Sequence, residues 1–279
     1  MWTDSFGFLL FMIVLSSNYA YSVSVKDKYA WDLLIFTQQW PQTVCKEWKQ
    51  HNPSHKCSLP SNPEIWTIHG VWPTKLHTIG PAYCNRSWHF DPEAVKSIEA
   101  PLTQLWTNIE GDTETYALWS HEWTKHGTCA AELEPLNSEF KYFSNGLNWM
   151  RKYTMSDILA ASKIVPSNEV QYTLVNIYLA VTTKLRVNPA IECRNVDGKS
   201  WLVEIRICFN KTLHLTDCDG IKGFKHKSAP YDHETIVTDI LTNCDPQQKI
   251  LYPKDYRPVA PFVIVQLYKL VSWLQWFTL

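Results

Sequence analysis

Net charge is the first thing this sequence lacks: 26 Lys and Arg against 27 Asp and Glu leave a formal charge of -1 over 279 residues. The two signs are mixed along the chain, so no basic blanket of the kind that drives sequence-independent duplex binding is expected. Any contact with nucleic acid must be local. An internal repeat and a low-complexity tract are also absent, which excludes a solenoid or a disordered array. No pair of cysteines has the short spacing of a zinc ribbon or finger. What is present is an even number of cysteines, 8, which could form four bridges in an oxidising compartment. With 45% hydrophobic residues and 14 Trp the chain can build one large core, and one domain is expected.

The two ends differ from the middle. An apolar run from Phe8 to Leu15, followed by small and polar residues, resembles a secretory signal with cleavage after Ala20 or Ser22, although Asp4 precedes it and no Lys or Arg does. The run is short for a first transmembrane helix. The expected division is a signal peptide at 1–22, a catalytic domain at 23–258 and a hydrophobic tail at 259–279. From Phe262 to Leu279 the tail holds one charge, Lys269, and as a helix it would reach about 27 Å, marginal for a hydrocarbon core. Trp273 and Trp276 suit a membrane interface. Membrane association through the tail and a plain surface helix or strand therefore stand as alternatives, and no cluster of small residues marks a lipid-anchor site. Two acceptor triplets, at Asn85 and Asn210, fit a secreted glycoprotein.

Between the ends, alternation over Asp32 to Trp40 predicts a strand ended by Pro41, and Pro53, Pro60 and Pro63 mark a loop before a second strand from Ile65 to Trp72. Asp91 and Pro92 start a helical stretch that Pro101 is expected to interrupt. Helices are predicted near 116–126, 138–151 and 168–185, with Ser138 and Asn168 as caps. Strand patterns return at Trp201 to Phe209 and Leu213 to Thr216, with Cys208 and Cys218 bracketing the turn. Strands first, helices in the middle and strands last predict an α+β fold, a mostly antiparallel central sheet flanked by helices and stapled by four disulfides.

The chemistry concentrates in two segments, Trp66-Thr67-Ile68-His69-Gly70-Val71-Trp72-Pro73 and His121-Glu122-Trp123-Thr124-Lys125-His126-Gly127-Thr128-Cys129. The second is not the His-Glu-x-x-His of a zinc protease, because Lys125 occupies the i+4 position. His126 stands at i+5, about 140° round an α-helix from His121, so the two imidazoles are not expected to share an ion. The i+4 rule pairs His121 with Lys125 and Glu122 with His126, a cationic patch holding a carboxylate. Such a patch suits a phosphodiester, whose equatorial oxygens gain charge as phosphorus becomes five-coordinate. RNA carries its own nucleophile, the 2′-hydroxyl, so a base and an acid suffice, and histidine, with its ordinary pKa of roughly 6.5, can be either at mildly acidic pH. Glu122 could stabilise cationic forms or orient His126, and the sequence leaves both open. A single histidine in a strand is more often a core residue than a catalyst. The other seven, His51, His55, His77, His89, His214, His226 and His233, show no chelate spacing.

The two segments resemble the active-site segments of the ribonuclease T2 family, the secreted acid endoribonucleases that include the plant S-ribonucleases. Further similarity runs from Phe36-Thr37-Gln38-Gln39-Trp40-Pro41 through Cys84-Asn85-Arg86-Ser87-Trp88 to Ile250-Leu251-Tyr252-Pro253, an animal-type pattern over roughly residues 30 to 255. The resemblance implies cleavage of single-stranded RNA through a 2′,3′-cyclic phosphate, with His126 as base, His69 as acid, His121 holding the phosphate, and Glu122 and Lys125 stabilising the five-coordinate state. It implies no cofactor and no metal, a base stacked on Trp72, Gln38 lining a base pocket, and a secreted or endolysosomal location. No protein partner is implied. It also implies the pairing Cys45–Cys57, Cys84–Cys129, Cys193–Cys244 and Cys208–Cys218. Many relatives have Asp after the Trp-Pro pair where this chain has Thr74, so base preference does not carry over.

Overall fold

A computed structural model describes residues 29–231, 236–255 and 271. The expected signal at 1–22 lies outside the described residues, as does the tail from 259 to 279 except for Val271. Among the described residues no helix is long and apolar enough to cross a membrane.

A 9-stranded sheet forms the centre of the molecule. Its strands are β1 (Leu33–Gln39), β2 (Thr67–Thr74), β3 (Gln171–Tyr172), β4 (Ala190–Val196), β5 (Lys199–Phe209), β6 (Leu215–Thr216), β7 (Lys225–Tyr231), β8 (Ile236–Thr242) and β9 (Ile250–Leu251). The main order is β2-β1-β5-β4-β8-β7, with β3, β6 and β9 attached at the side. Most pairs are antiparallel; β4 with β8 and β5 with β9 are parallel. The α+β expectation holds, and so do all four expected disulfide pairs.

All seven residues of β1 are buried because its two faces enter different cores. Leu34 and Phe36 join the main core with the helices, while Leu33 and Ile35 pack with Ala190, Cys208, Cys218 and Ile221 on the other side. That is the period of two of an extended strand, read from both faces. Three of the large tryptophans of the main core are buried with their indole N–H groups satisfied, whereas the buried Nε1 of Trp31 has no partner among the described residues. Trp40 donates to the Pro253 carbonyl at 2.8 Å, Trp66 to the Tyr252 hydroxyl at 2.8 Å, and Trp106 to the carbonyl of His69 at 2.9 Å.

Among the described residues, six α-helices of six or more residues accompany the sheet: α1 (Pro41–His51), α2 (Glu99–Leu105), α3 (Ala117–Glu122), α4 (Glu139–Lys152), α5 (Met155–Ala161) and α6 (Leu174–Leu185). Pro41 ends β1 as expected, but it also opens α1, since a first-turn residue needs no N–H donor. Ser138 caps α4 as expected, its side chain accepting from Lys141 N. Three expectations need correction. Pro101 does not interrupt its helix. A 3-10 turn at Pro92–Ile98 passes into α2, and Pro101 sits in the first turn, where proline is tolerated. Asn168 is not a cap: α6 begins at Leu174, capped by Thr173, and β3 fills part of the interval. The Asn168 side chain instead holds the chain near 255, accepting from Lys254 N at 3.1 Å and donating to Asp255 at 2.6 Å. The strand expected at Leu213 starts at Leu215, because Leu213 has φ 59° and belongs to the turn.

Candidate active site

His69 reaches the cleft through a defect in pairing. Along β1 and β2, Thr37 pairs with Gly70 and Gln38 with Ile68, so His69 is the extra residue of a β-bulge. In a regular strand residues 69 and 72 would point to opposite faces. Here their rings meet edge to face with centroids 5.0 Å apart. The bulge is pinned by the Trp106 indole on the His69 carbonyl and the Tyr142 hydroxyl on the Val71 carbonyl.

The second segment departs from a plain helix too. After α3 the chain makes a π-helical turn, Trp123–Gly127, and then a last α turn, Thr128–Ala130. With hydrogen bonds from i to i+5 the turn widens, and five residues overshoot one full turn by less than in an α-helix, so His121 and His126 come to one side, ring centroids 6.1 Å apart. This corrects the α-helical expectation that 140° separates them. The ligand atoms of His121, Glu122 and His126 lie within 4.8 Å of one another, so this trio could in principle face one cation. The Lys125 ammonium, 3.4 Å from His121 Nε2, competes for that place.

Trp72 joins the two segments. Its Nε1 donates to Glu122 Oε2 at 2.7 Å, and its ring lies 5.6 Å from the His126 ring and 5.0 Å from the Arg206 guanidinium. The contact needs a glycine beneath it: a Cβ on Gly70 would come within 2.1 Å of both Glu122 Oε2 and Trp72 Nε1. Glu122 is therefore turned to Trp72, and no hydrogen bond joins it to His126 among the described residues.

The electrostatics divide the histidines. Burial works against a charge on His69, but the Glu204 carboxylate, at 2.6 Å from Nδ1, outweighs it and leaves the pKa raised, with help from Glu122. His126 is the reverse: burial, then Lys125, His121 and His69, push its pKa down to about 2, and its buried Nδ1 has no hydrogen-bond partner among the described residues. His121 is lowered by burial and by Lys125. Glu122 is pushed up to about 7 by burial, against the pull of His69, the Trp72 bond and Lys125. One histidine is thus held for the charged form and the other for the neutral form.

His69, His121, Glu122, Lys125, His126 and Trp72 come together. Gln38 does not, and its expected role in a base pocket is corrected. It is fully buried, with its Nε2 on the Tyr153 carbonyl and its Oε1 accepting from Met155 N. Its neighbour Gln39, of opposite strand parity, lines a cleft of about 670 Å3 together with His69, His121, Asn108, Arg194 and Glu204. The alternation in β1 could have raised Gln39 as well as Gln38, but only the pairing with β5 shows which one faces the cleft. Glu204 escaped the sequence reading entirely. Its only signal was a carboxylate two residues before Arg206 on one face of a strand whose other face, Trp201, Val203, Ile205, Ile207 and Phe209, is apolar.

A sequence profile of the ribonuclease T2 family matches residues 31–218. "Ribonuclease Oy" of Magallana gigas is 38% identical over 193 residues, 68% of this chain and 88% of its own length. "Ribonuclease T2" of Danio rerio is 32% identical over 256 residues, covering 88% of this chain and 98% of the relative. Among solved structures, that of RNase NT in complex with 5′-AMP aligns with a TM-score of 0.62 and 26% identity over 80% of this chain and 98% of the other. The chain belongs to the ribonuclease T2 family. It is an RNA endonuclease of the animal type.

Proposed function

We propose that the enzyme cuts single-stranded RNA by transesterification, forming a 2′,3′-cyclic phosphate. The observation that carries this reading is the contrast between two histidine rings either side of one Trp–Glu contact, His69 hydrogen-bonded to a buried carboxylate and His126 buried beside Lys125 with no anion on its Nδ1 among the described residues. His126, neutral, takes the 2′-hydroxyl proton as that oxygen forms its bond to phosphorus. His69, protonated, gives its Nε2 proton to the 5′-oxygen as the old P–O bond breaks. No metal is needed, because the nucleophile is already attached to the substrate and histidines handle both protons.

Lys125 and His121, 3.4 Å apart on the exposed side, hold the phosphate and meet the charge that gathers on its oxygens. Glu122, protonated up to about pH 7, can donate a hydrogen bond to such an oxygen instead of repelling it. Trp72 offers its remaining ring surface to a base, a contact that tolerates any base. Since His69 serves the leaving oxygen, the cleft beside it receives the leaving nucleotide, and the 5′-AMP held by RNase NT is in keeping with nucleotide binding.

The sign of the pH dependence follows. The base form of His126 exists above about pH 2, and the acid form of His69 persists up to its raised pKa. The productive combination therefore dominates in acid and is lost as pH rises. An acid optimum suits an endolysosomal or secreted enzyme. In both acceptor triplets the hydroxyl residue bonds back to the asparagine: Asn85 Oδ1 accepts from Ser87 Oγ and Asn210 Oδ1 from Thr212 Oγ1, each at 2.7 Å. Glycans on Asn85 and Asn210 belong to this reading.

Digestion of a defined RNA across pH, with a chelator present and mass analysis of the ends, tests the proposal. Cyclic-phosphate ends at acid pH, unaffected by chelator, are expected. Ends with 5′-phosphate, or activity that the chelator abolishes, would overturn it.

A further inference from the structure

We propose that Glu204, held in place by Arg206, is a positioning residue that fixes the acid His69 with its Nδ1 proton turned inward and Nε2 turned to the leaving oxygen. This rests on the assignment of His69 as the acid.

Glu204 occupies an inward position of β5 and is 4% exposed. A carboxylate there costs stability unless it is paired and hydrogen-bonded, and a bare structural role would be served by an apolar side chain. Both of its oxygens are in use. Oε1 meets His69 Nδ1 at 2.6 Å, while Oε2 accepts from Arg206 Nε at 3.1 Å and Nη2 at 2.7 Å. Arg206 also pairs with Glu192, Glu192 with Arg194, and Arg194 with Glu47 at 2.8 Å, a row of alternating charges from β5 across β4 to α1. The row ends on an imidazole that keeps 36% of its side chain exposed and lines the cleft. The guanidinium further packs 5.0 Å from the Trp72 ring and 4.6 Å from Phe224. Acid, carboxylate and aromatic are thereby braced as one body.

The chemistry requires such a brace. A neutral imidazole has one N–H and two places for it. An anion at Nδ1 keeps that proton inside, so the proton His69 gives up as the P–O bond breaks comes from Nε2, and the leaving oxygen keeps the electron pair. Nε2 is then bare and can take a proton from water when the cyclic ester opens. The other groups acting on His69 are Glu122, His121 and His126 of the helical segment and Arg206 of β5. None of these is hydrogen-bonded to its ring, so among the described residues Glu204 is the group that can select the tautomer. This is the role of outer carboxylates on ligating and catalytic histidines generally.

The test compares two substrates, an RNA dinucleotide and a nucleoside 3′-(4-nitrophenyl phosphate) whose aryl oxygen leaves without a proton. For Glu204→Gln, kcat on RNA should fall about 10- to 100-fold with KM nearly unchanged, as for other outer-sphere partners. The descending limb of its pH profile should move to lower pH, and the nitrophenyl ester should be turned over at close to the normal rate. In a His69→Ala background the Gln substitution should add nothing. Equal losses on both substrates, an unmoved limb, or additivity with His69→Ala would overturn the proposal. If His69→Ala itself loses equally on both substrates, the assignment of the acid has failed instead. Should thermal melting show the Gln variant unfolded, Glu204→Asp puts the same question: it keeps the charge and shortens the reach, so it must spare the ester while slowing RNA.

Discussion

On the strand side of the cleft, His69 has its inner nitrogen 2.6 Å from a carboxylate that is itself held by a guanidinium. On the helix side, His126 has a buried Nδ1 with no partner among the described residues, and Lys125, His121 and His69 stand near it as cationic groups. The pKa of the same side chain is thereby raised at one position and lowered at the other, and the difference lies wholly in what surrounds it. A general lesson follows for paired histidines: role is assigned by the second contact of each ring, which residue type and spacing do not record. The two sides also differ in backbone device. One uses an extra residue in a strand and the other a widened helical turn, and each brings to the cleft a ring that regular geometry would turn away.

The most severe way to break this comparison is to remove either ring. His69→Ala and His126→Ala should each lower turnover of RNA by roughly 10² to 10⁴-fold, the contribution of one acid or base. Near-normal rates from either purified variant would end the pairing. Next is Gly70→Ala, which places a methyl where Glu122 and Trp72 meet. With both rings intact but the bridge between them displaced, kcat should fall by roughly 10²-fold, as for an ångström-scale misplacement. A rate within about threefold of normal would show that the Trp72–Glu122 contact does not set the geometry.

A smaller effect sharpens the electrostatic half. If burial keeps Glu122 protonated in acid, Glu122→Gln preserves shape and donor and should cost only about 3- to 10-fold at acid pH, whereas Glu122→Ala should cost about 10²-fold, as for a lost transition-state donor. Equal losses would mean that the charge, and not the donor, is what matters. The mildest test leaves the chemistry alone: kcat/KM recorded from about pH 3 to pH 9 should be flat in acid and fall as pH rises through the raised pKa of His69. A rise with pH over the acid range would place the titrating base near its ordinary value and contradict the environment of His126.

Much of the frame was legible without coordinates. The alternation over β1 and Trp201 to Phe209, the Ser138 cap and the Asp91-Pro92 start depend on neighbours in sequence, and they read correctly. Asn168 misled because a residue with cap chemistry serves equally well to tie down a distant segment, here Lys254 and Asp255. Gln38 misled because strand parity can be assigned only against a partner strand, and the amide that looked like a base contact is spent on Tyr153 and Met155.

By itself the sequence determined the inventory: three histidines, a carboxylate and an ammonium in two segments, enough cysteines for four bridges, and the strand and helix patterns of an α+β chain. The tertiary structure alone decided which histidine meets a carboxylate and which does not, that His69 is the bulged residue, that a π turn brings His121 and His126 together, and that Glu204, 135 residues from His69, is hydrogen-bonded to it. The physical reason is one of range. Propensity and capping act within a few residues, whereas desolvation and Coulomb interaction depend on whatever the fold carries to within a few ångströms, however far off in the chain.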